Sequence, residues 1–305
     1  MQLVALATKP SSGTRFFIEN SVSSNSRRAY ESDLREFERG GGTIPASPET
    51  LAEYLACNAA RLSVATLVRR LASISKAHQV HGVPNPAHSP LVRATLRGIK
   101  RTRGCAQHQA KPLLREELIR VLDAIGDKRK DHRDRALLLT GFAGALRRSE
   151  LVGLNVGDVE NVRQGLILHL QRSKTDQEAH GQKIGIPFAR GRWCPVAALE
   201  AWLAISEIRE GPIFRPIDRH GHVHDWRLSG EAVGEIVRQR VSAAGLDTSG
   251  YSGHSLRAGL ATSAAQLGVP TWTIRAQTRH ASDAMLSRYI RAGELFTENA
   301  AGAVL

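Results

Sequence analysis

Tyr251-Ser252-Gly253-His254-Ser255-Leu256-Arg257-Ala258-Gly259-Leu260 is the stretch from which the rest of the chain is read. Tyr-Ser-Gly is turn material, and Ser252 is placed to cap a helix that begins there. His254 and Arg257 then stand three apart and share one face at the first turn. Leu256, Leu260, Ala264 and Leu267 recur on another face and predict the helix's buried stripe. A His and an Arg beside the positive end of a helix dipole make a seat for a phosphate. An isolated HxxR is otherwise an ordinary solvated pair, so its company decides what it means.

The charge of the chain points the same way. Its 305 residues are long for one core and comfortable for two domains. A hydrophobic content of 42% excludes a disordered chain. The 42 Lys+Arg against 29 Asp+Glu leave a net +13, with a pI near 10.4. Such a balance implies nucleic acid or an anionic membrane surface as partner. Surface binding to a membrane needs bulky apolar residues opposite the charge, and no Trp lies in the basic N-terminal module described next. No run approaches the roughly 18 apolar residues of a membrane span, and the opening Met-Gln-Leu-Val-Ala-Leu-Ala is too short for a secretory signal. Cys57, Cys105 and Cys194 are odd in number and show no CxxC, so neither a disulfide framework nor a zinc knuckle is expected. The expected setting is cytoplasmic, with no membrane and with nucleic acid as partner.

Residues 1–12 lack periodicity and read as a flexible tail. Residues 13–104 read as a helical module. One helix opens at Asn25 or Ser26 and stops at Gly40-Gly41-Gly42, a second starts at Pro48, a third runs Val64–Val80 behind Ser63, and a fourth Pro90–Arg103. Residues 1–104 hold 15 Lys/Arg against 7 Asp/Glu, +8 of the total. Arg69, Arg70, Arg93, Arg97, Lys100, Arg101 and Arg103 dominate two of these helices and read as phosphate contacts, which position a protein on DNA without reading its sequence. The stretch Arg103–Pro112 carries Gly104 and Pro112 without an apolar period, and residues 105–112 read as a linker.

Beyond the linker, Leu113–Ile125 and Arg133–Phe142 predict two helices. Ala143-Gly144-Ala145 allows close packing, and Arg147 and Glu150 can pair at i,i+3. Two short strands, Gly165–Leu170 and Gln182–Pro187, flank a hairpin that holds Lys174. Helices Val196–Ile208 and Ser229–Ala243 follow. His220-x-His222-x-His224 looks metal-like, but with no acidic or Cys companion it fits a polar hairpin, and no metal is expected. Thr278-Arg279-His280-Ala281-Ser282 opens a last helix through Leu286 and Tyr289. The fold class is therefore mainly α with a small β-sheet, an α+β domain behind a helical one.

The succession Arg147, Lys174, His254-x-x-Arg257, His280 and Tyr289 resembles the tyrosine recombinases, also called the phage-integrase family. ALRRSEL is similar to that family's first arginine box, HSLR to its HxxR box, and RHASDAMLSRYIR to its His…Tyr box. Ser173-Lys174-Thr175 occupies the hairpin where the family keeps a lysine. Each box alone is weak; all six residues in order and spacing are specific, and the resemblance spans residues 12–300. One departure is Arg279, where many members have Gly before this His.

That resemblance implies a core-binding (SAM-like) DNA-binding domain over 13–104, a catalytic domain over 113–292, and a tail over 293–305 exchanged between subunits, with Leu295 and Phe296 docking in trans. It implies site-specific DNA recombination by strand cleavage and rejoining, in the manner of a mobile genetic element. Tyr289 would be the nucleophile and form a 3′-phosphotyrosyl link. Arg147 and Arg257 would clamp the phosphate, Lys174 would protonate the leaving 5′-oxygen, His254 would handle the Tyr proton, and His280 would hydrogen-bond a phosphate oxygen. The partners would be double-stranded DNA target sites and further copies of the chain, in a synaptic tetramer. No cofactor is expected: the sequence has no Walker loop and no apparent carboxylate cluster for two metals. Type IB topoisomerases share the residue set, and an idle DNA-binding factor is a further alternative. Tyr30 and Tyr54 sit on apolar helix faces, while Tyr251, beside His254, stands as the rival nucleophile.

Overall fold

A computed structural model describes residue 22, residues 24–105, 109–170 and 181–280, and residues 282, 286, 287 and 289. The chain divides into two compact units, residues 1–107 and 108–305. The first is all helical among the described residues: α1 (Ser24–Arg39), α2 (Pro48–Asn58), α3 (Val64–Val80) and α4 (Pro90–Arg103). Ser47, Ser63 and Ser89 each accept the N–H three residues on and so cap α2, α3 and α4. Phe37 and Tyr54 meet edge to face, 4.9 Å between centroids, in a core shared with Leu51, Leu55, Leu67 and Ile74.

Arg70 belongs to that interior, which corrects its expected role in phosphate contact. It is 8% exposed, and its Nη1 donates to Tyr54 Oη at 2.7 Å. The cause lies in the spacing: Leu67, Arg70 and Ile74 fall at i, i+3 and i+7 of α3, on its buried stripe. Arg69, on the open side, pairs with buried Asp33 at 2.5 Å. Arg93, Arg97, Lys100 and Arg101 are exposed on the face of α4 away from Val92 and Ile99, and exposed Arg103 donates to the Ala60 carbonyl.

The second unit runs α5 (Arg115–Asp123), α6 (Arg129–Ala143), α7 (Arg148–Gly153), β1 (Val159–Val162), β2 (Gly165–Leu170), β3 (Gln182–Pro187), α8 (Pro195–Ser206), α9 (Gly230–Ala243), α10 (Ser255–Gln266) and α11 (Thr271–Thr278). Helix α6 packs along α8 and buries Ala136, Leu137, Leu138 and Leu139. Its Asp134 receives Arg133 and, from α9, Arg240, each at 2.6 Å, so the buried carboxylate is paired twice. The strands form an antiparallel sheet in the order β1-β2-β3, with Leu168 opposite both Val159 and Ile184. Leu166, Leu168 and Leu170 face the core with Ile184 and Ile186. Strand β1 is absent from the sequence reading because Val-Glu-Asn-Val shows no alternation; pairing with β2 makes it a strand. Lys174 lies outside the described residues.

Helix α10 departs from expectation. Ser255, Leu256, Arg257, Ala258, Gly259, Ala261, Thr262, Ser263 and Ala265 are buried, nearly all round the axis, whereas Leu267 is 72% exposed and Leu260 and Ala264 are only half-buried. Small residues permit this enclosure. A Cβ on Gly259 would stand 1.9 Å from the Leu113 carbonyl oxygen, so only glycine lets α10 lie this close to the strand-like entry into α5. Ser252 accepts the His254 N–H and shapes the turn, and His254 itself takes the N-cap position.

The segment with His220, His222 and His224 is a turn in which Asp218 accepts the N–H groups of His220 and His222 and meets His222 Nδ1 at 3.1 Å. Asp218 is thus an acidic companion to these histidines, contrary to the expectation of none. Among the described residues no group of three His, Cys, Asp or Glu could hold a metal, and no helix is long and apolar enough to cross a membrane.

Candidate active site

Three separate parts of the second unit converge on one spot. Helix α7 opens with Arg147 as its N-cap residue and Glu150 three positions on. Glu150 Oε1 accepts from Arg147 Nη1 at 2.6 Å and Oε2 from the Arg147 N–H at 2.9 Å, so one carboxylate fixes both the backbone and the fork of that arginine. Burial works against the Glu150 charge, but Arg279, the Arg147 N–H and the Arg147 guanidinium together hold its carboxyl below the usual range.

Arg257, from α10, is 1% exposed. Its Nη1 donates to the Ala145 carbonyl at 2.8 Å. Ala145 sits at φ +44°, a left-handed geometry at the end of the Ala143-Gly144-Ala145 run that turns this carbonyl inward. Arg257 Nη2 is buried and unpartnered. Burial first, then Arg147 and Arg279, pull the Arg257 guanidinium down to about 10, which leaves it charged at neutral pH and in want of an anion.

The third part is the turn after α11. Arg279 ends that helix at φ +56°, where a residue without a Cβ is at ease; this is the physical sense of the glycine expected there. His280 follows and is buried at 6% exposure. Thr278 Oγ1 gives its one proton to the Ile274 carbonyl at 2.7 Å, so toward His280 Nδ1, 2.8 Å away, it acts as acceptor. That assigns the ring proton of neutral His280 to Nδ1 and leaves Nε2 bare. Burial, followed by Arg257, Arg147, His254 and Arg279, depresses this imidazole to about 4, so it is neutral at pH 7. The sequence shows Thr278 only as part of the segment before the last helix; a hydroxyl two residues before a site histidine is the signal for its role here.

Tyr289 completes the cluster. Its Oη lies 2.9 Å from His254 Nε2, and its ring centroid lies 5.4 Å from that of His280. Tyr289 also packs against Ala261, Ala265, Ile274 and Leu286. Tyr251, by contrast, is 3% exposed, with the Lys111 ammonium 4.7 Å from its ring centroid, and burial pushes its phenol up. Arg147, His254, Arg257, His280 and Tyr289 are thus brought together, with Arg279 among them.

The sequence pattern described as the phage integrase family matches residues 111–294. An integrase/recombinase xerD homolog from Selenomonas ruminantium is 41% identical over 293 residues, which cover 93% of this chain and 86% of that protein. Recombinase cre of Escherichia phage P1 is 26% identical over 246 residues, 74% of this chain and 70% of its own. A solved lambda integrase tetramer bound to a Holliday junction has the same fold, with a TM-score of 0.63 at 18% identity over 88% of this chain and 72% of that one. With more than half its length matched by the family pattern and a relative this similar along nearly all of it, the chain belongs to the phage integrase family.

Proposed function

We propose that Tyr289 attacks a DNA phosphate held by Arg147 and Arg257, and that the chain thereby cuts and rejoins DNA. The protein is a tyrosine-type site-specific recombinase, and its relatives favour neither the topoisomerase nor the idle-site alternative. The observation that carries the site reading is the 2.9 Å contact of Tyr289 Oη with His254 Nε2 beside the unpartnered Arg257 Nη2.

In the first step the phenol proton passes to His254 Nε2 as Oη bonds to phosphorus. The two arginines meet the nonbridging oxygens, whose charge grows in the transition state. The 5′-oxygen leaves and takes a proton from Lys174, which lies outside the described residues. The 3′-phosphotyrosyl link keeps the energy of the broken bond, so attack by another 5′-hydroxyl reseals the strand without ATP or metal. His280 enters with Nε2 bare and must gain a proton to donate to a phosphate oxygen, so phosphate docking and proton uptake go together.

The first unit is read as the core-binding domain, joined through residues 105–112, with Arg93, Arg97, Lys100 and Arg101 against the DNA backbone. The partners are double-stranded DNA and further copies of the chain, with a tetramer as the working assembly, in the cytoplasm. Residues 293–305, outside the described part, are read as passing to a neighbouring copy. A groove of about 1010 Å³ on the second unit, lined by Phe142, Phe188, Trp193, Leu260 and Ile274, offers Leu295 and Phe296 an apolar seat. It accounts for the half-exposure of Leu260 on α10. Deleting 293–305 should abolish synapsis and spare cleavage; unimpaired synapsis would sink the exchange.

The decisive test is covalent trapping on a pool of nicked duplexes without magnesium. Wild type and Tyr251→Phe should give a protein–DNA adduct on denaturing gels, and Tyr289→Phe none. An adduct that survives in Tyr289→Phe and vanishes in Tyr251→Phe moves the nucleophile.

A further inference from the structure

Glu150 poses an electrostatic problem for a phosphate site. It orients Arg147 through two hydrogen bonds, yet its own charge cancels one of the two arginines meant for the anion. Arg279 resolves it. Its Nη2 donates to Glu150 Oε2 at 2.9 Å and lies 3.4 Å from the Ala145 carbonyl that also receives Arg257. The Arg279 carbonyl in turn stands 3.4 Å from Arg147 Nη2. Its side chain is 9% exposed, and its Nε and Nη1 are buried without a partner. Two guanidiniums hold the Glu150 carboxylate and Arg257 lies beside them on the Ala145 carbonyl, which leaves an excess of two positive charges where a phosphodiester carries one negative charge and a second develops on attack.

We propose that Arg279 is a positioning residue of the phosphate site: by sharing Glu150 with Arg147 and the Ala145 carbonyl with Arg257, it sets both forks on one anion and restores the charge that Glu150 removes. A left-handed backbone is strained at a non-glycine residue, and the three contacts give that strain a purpose. The inference rests on the phosphate-site reading above but can fail separately from it.

The test uses the full chain and inorganic tungstate as a phosphate mimic, with binding followed by calorimetry. Wild type should bind it, Arg279→Gly should bind at least about tenfold more weakly, as the loss of one charge-assisted contact predicts, and Arg279→Lys should recover part of that loss. Glycine is at ease at this φ, and urea unfolding checks that the variant is intact; Arg279→Gln, with the same backbone cost as arginine, serves if it is not. Equal tungstate affinity in wild type and Arg279→Gly, no binding by wild type, or a lysine variant as weak as the glycine one would each overturn the proposal. On the nicked duplex pool, the glycine variant should form adduct more slowly at unchanged DNA affinity. Weakened tungstate binding without any wild-type adduct would instead leave the anion site standing and remove the recombinase reading of it.

Discussion

Replacing Glu150 by Gln is the sharpest perturbation of this site. The carboxylate is 5% exposed and accepts three hydrogen bonds at 2.6, 2.9 and 2.9 Å from two guanidiniums and one backbone N–H. A carboxamide keeps one acceptor oxygen and turns an NH₂ toward donors on the other side. Three cations, Arg147, Arg257 and Arg279, then share a buried volume with no counter-charge. Removing one partner of a buried pair costs about 3–5 kcal/mol, against a total stability of roughly 5–15 kcal/mol for a domain. All four Trp lie beyond residue 108, so tryptophan fluorescence in urea reads the second unit alone. The Arg147→Ala change, harmful in wild type, should cost far less or even restore stability in the Gln background, because it removes a surplus cation. A loss below about 1 kcal/mol for Glu150→Gln, or strict additivity with Arg147→Ala, would refute the shared-carboxylate account.

Other expectations are as direct. Because His280 is depressed from 6.5 to about 4, the unfolded chain binds the proton first; stability is full above about pH 6.5 and falls by roughly 3 kcal/mol on the way to pH 4. His280→Asn should flatten that limb of the urea-unfolding profile, and DNA binding by wild type should take up a proton near pH 6, visible as buffer-dependent binding heat. Gly259→Ala must move α10 off the Leu113 carbonyl and should cost about 1–3 kcal/mol in the same fluorescence assay while slowing adduct formation. Alanine at Arg93, Arg97 or Lys100 should lower the salt slope of DNA binding by about 0.9 each, whereas Arg70→Ala should lower the stability of the first unit, seen by circular dichroism.

Helices with local punctuation are legible in the sequence. Ser63 and the Gly-Val-Pro-Asn-Pro breaker bound α3, and Ser89-Pro90 and Gly104 bound α4, because caps and breakers act within a few residues. The five described members of the expected site fell together because each lies in a box of fixed spacing. What stayed hidden depends on neighbours distant in sequence. The doublet Arg69-Arg70 looks uniform, and only the α3 stripe separates a half-exposed arginine paired with buried Asp33 from a core hydrogen bond. The inward Ala145 carbonyl has no sequence signature, since alanine rarely marks a left-handed turn. In the sequence Arg279 is only a departure from glycine; its place beside Glu150 needs the end of α11 to meet the start of α7.

The Ala145 carbonyl and the Glu150 carboxylate act together as a keystone. Fraying at the end of α11 would withdraw Arg279 and His280 in one motion and loosen Arg147 at once, while any slippage of α10 would carry off His254 and Arg257. Grip on the phosphate therefore requires the start of α7, helix α10 and the end of α11 to be docked together, and a partly opened chain would lack it.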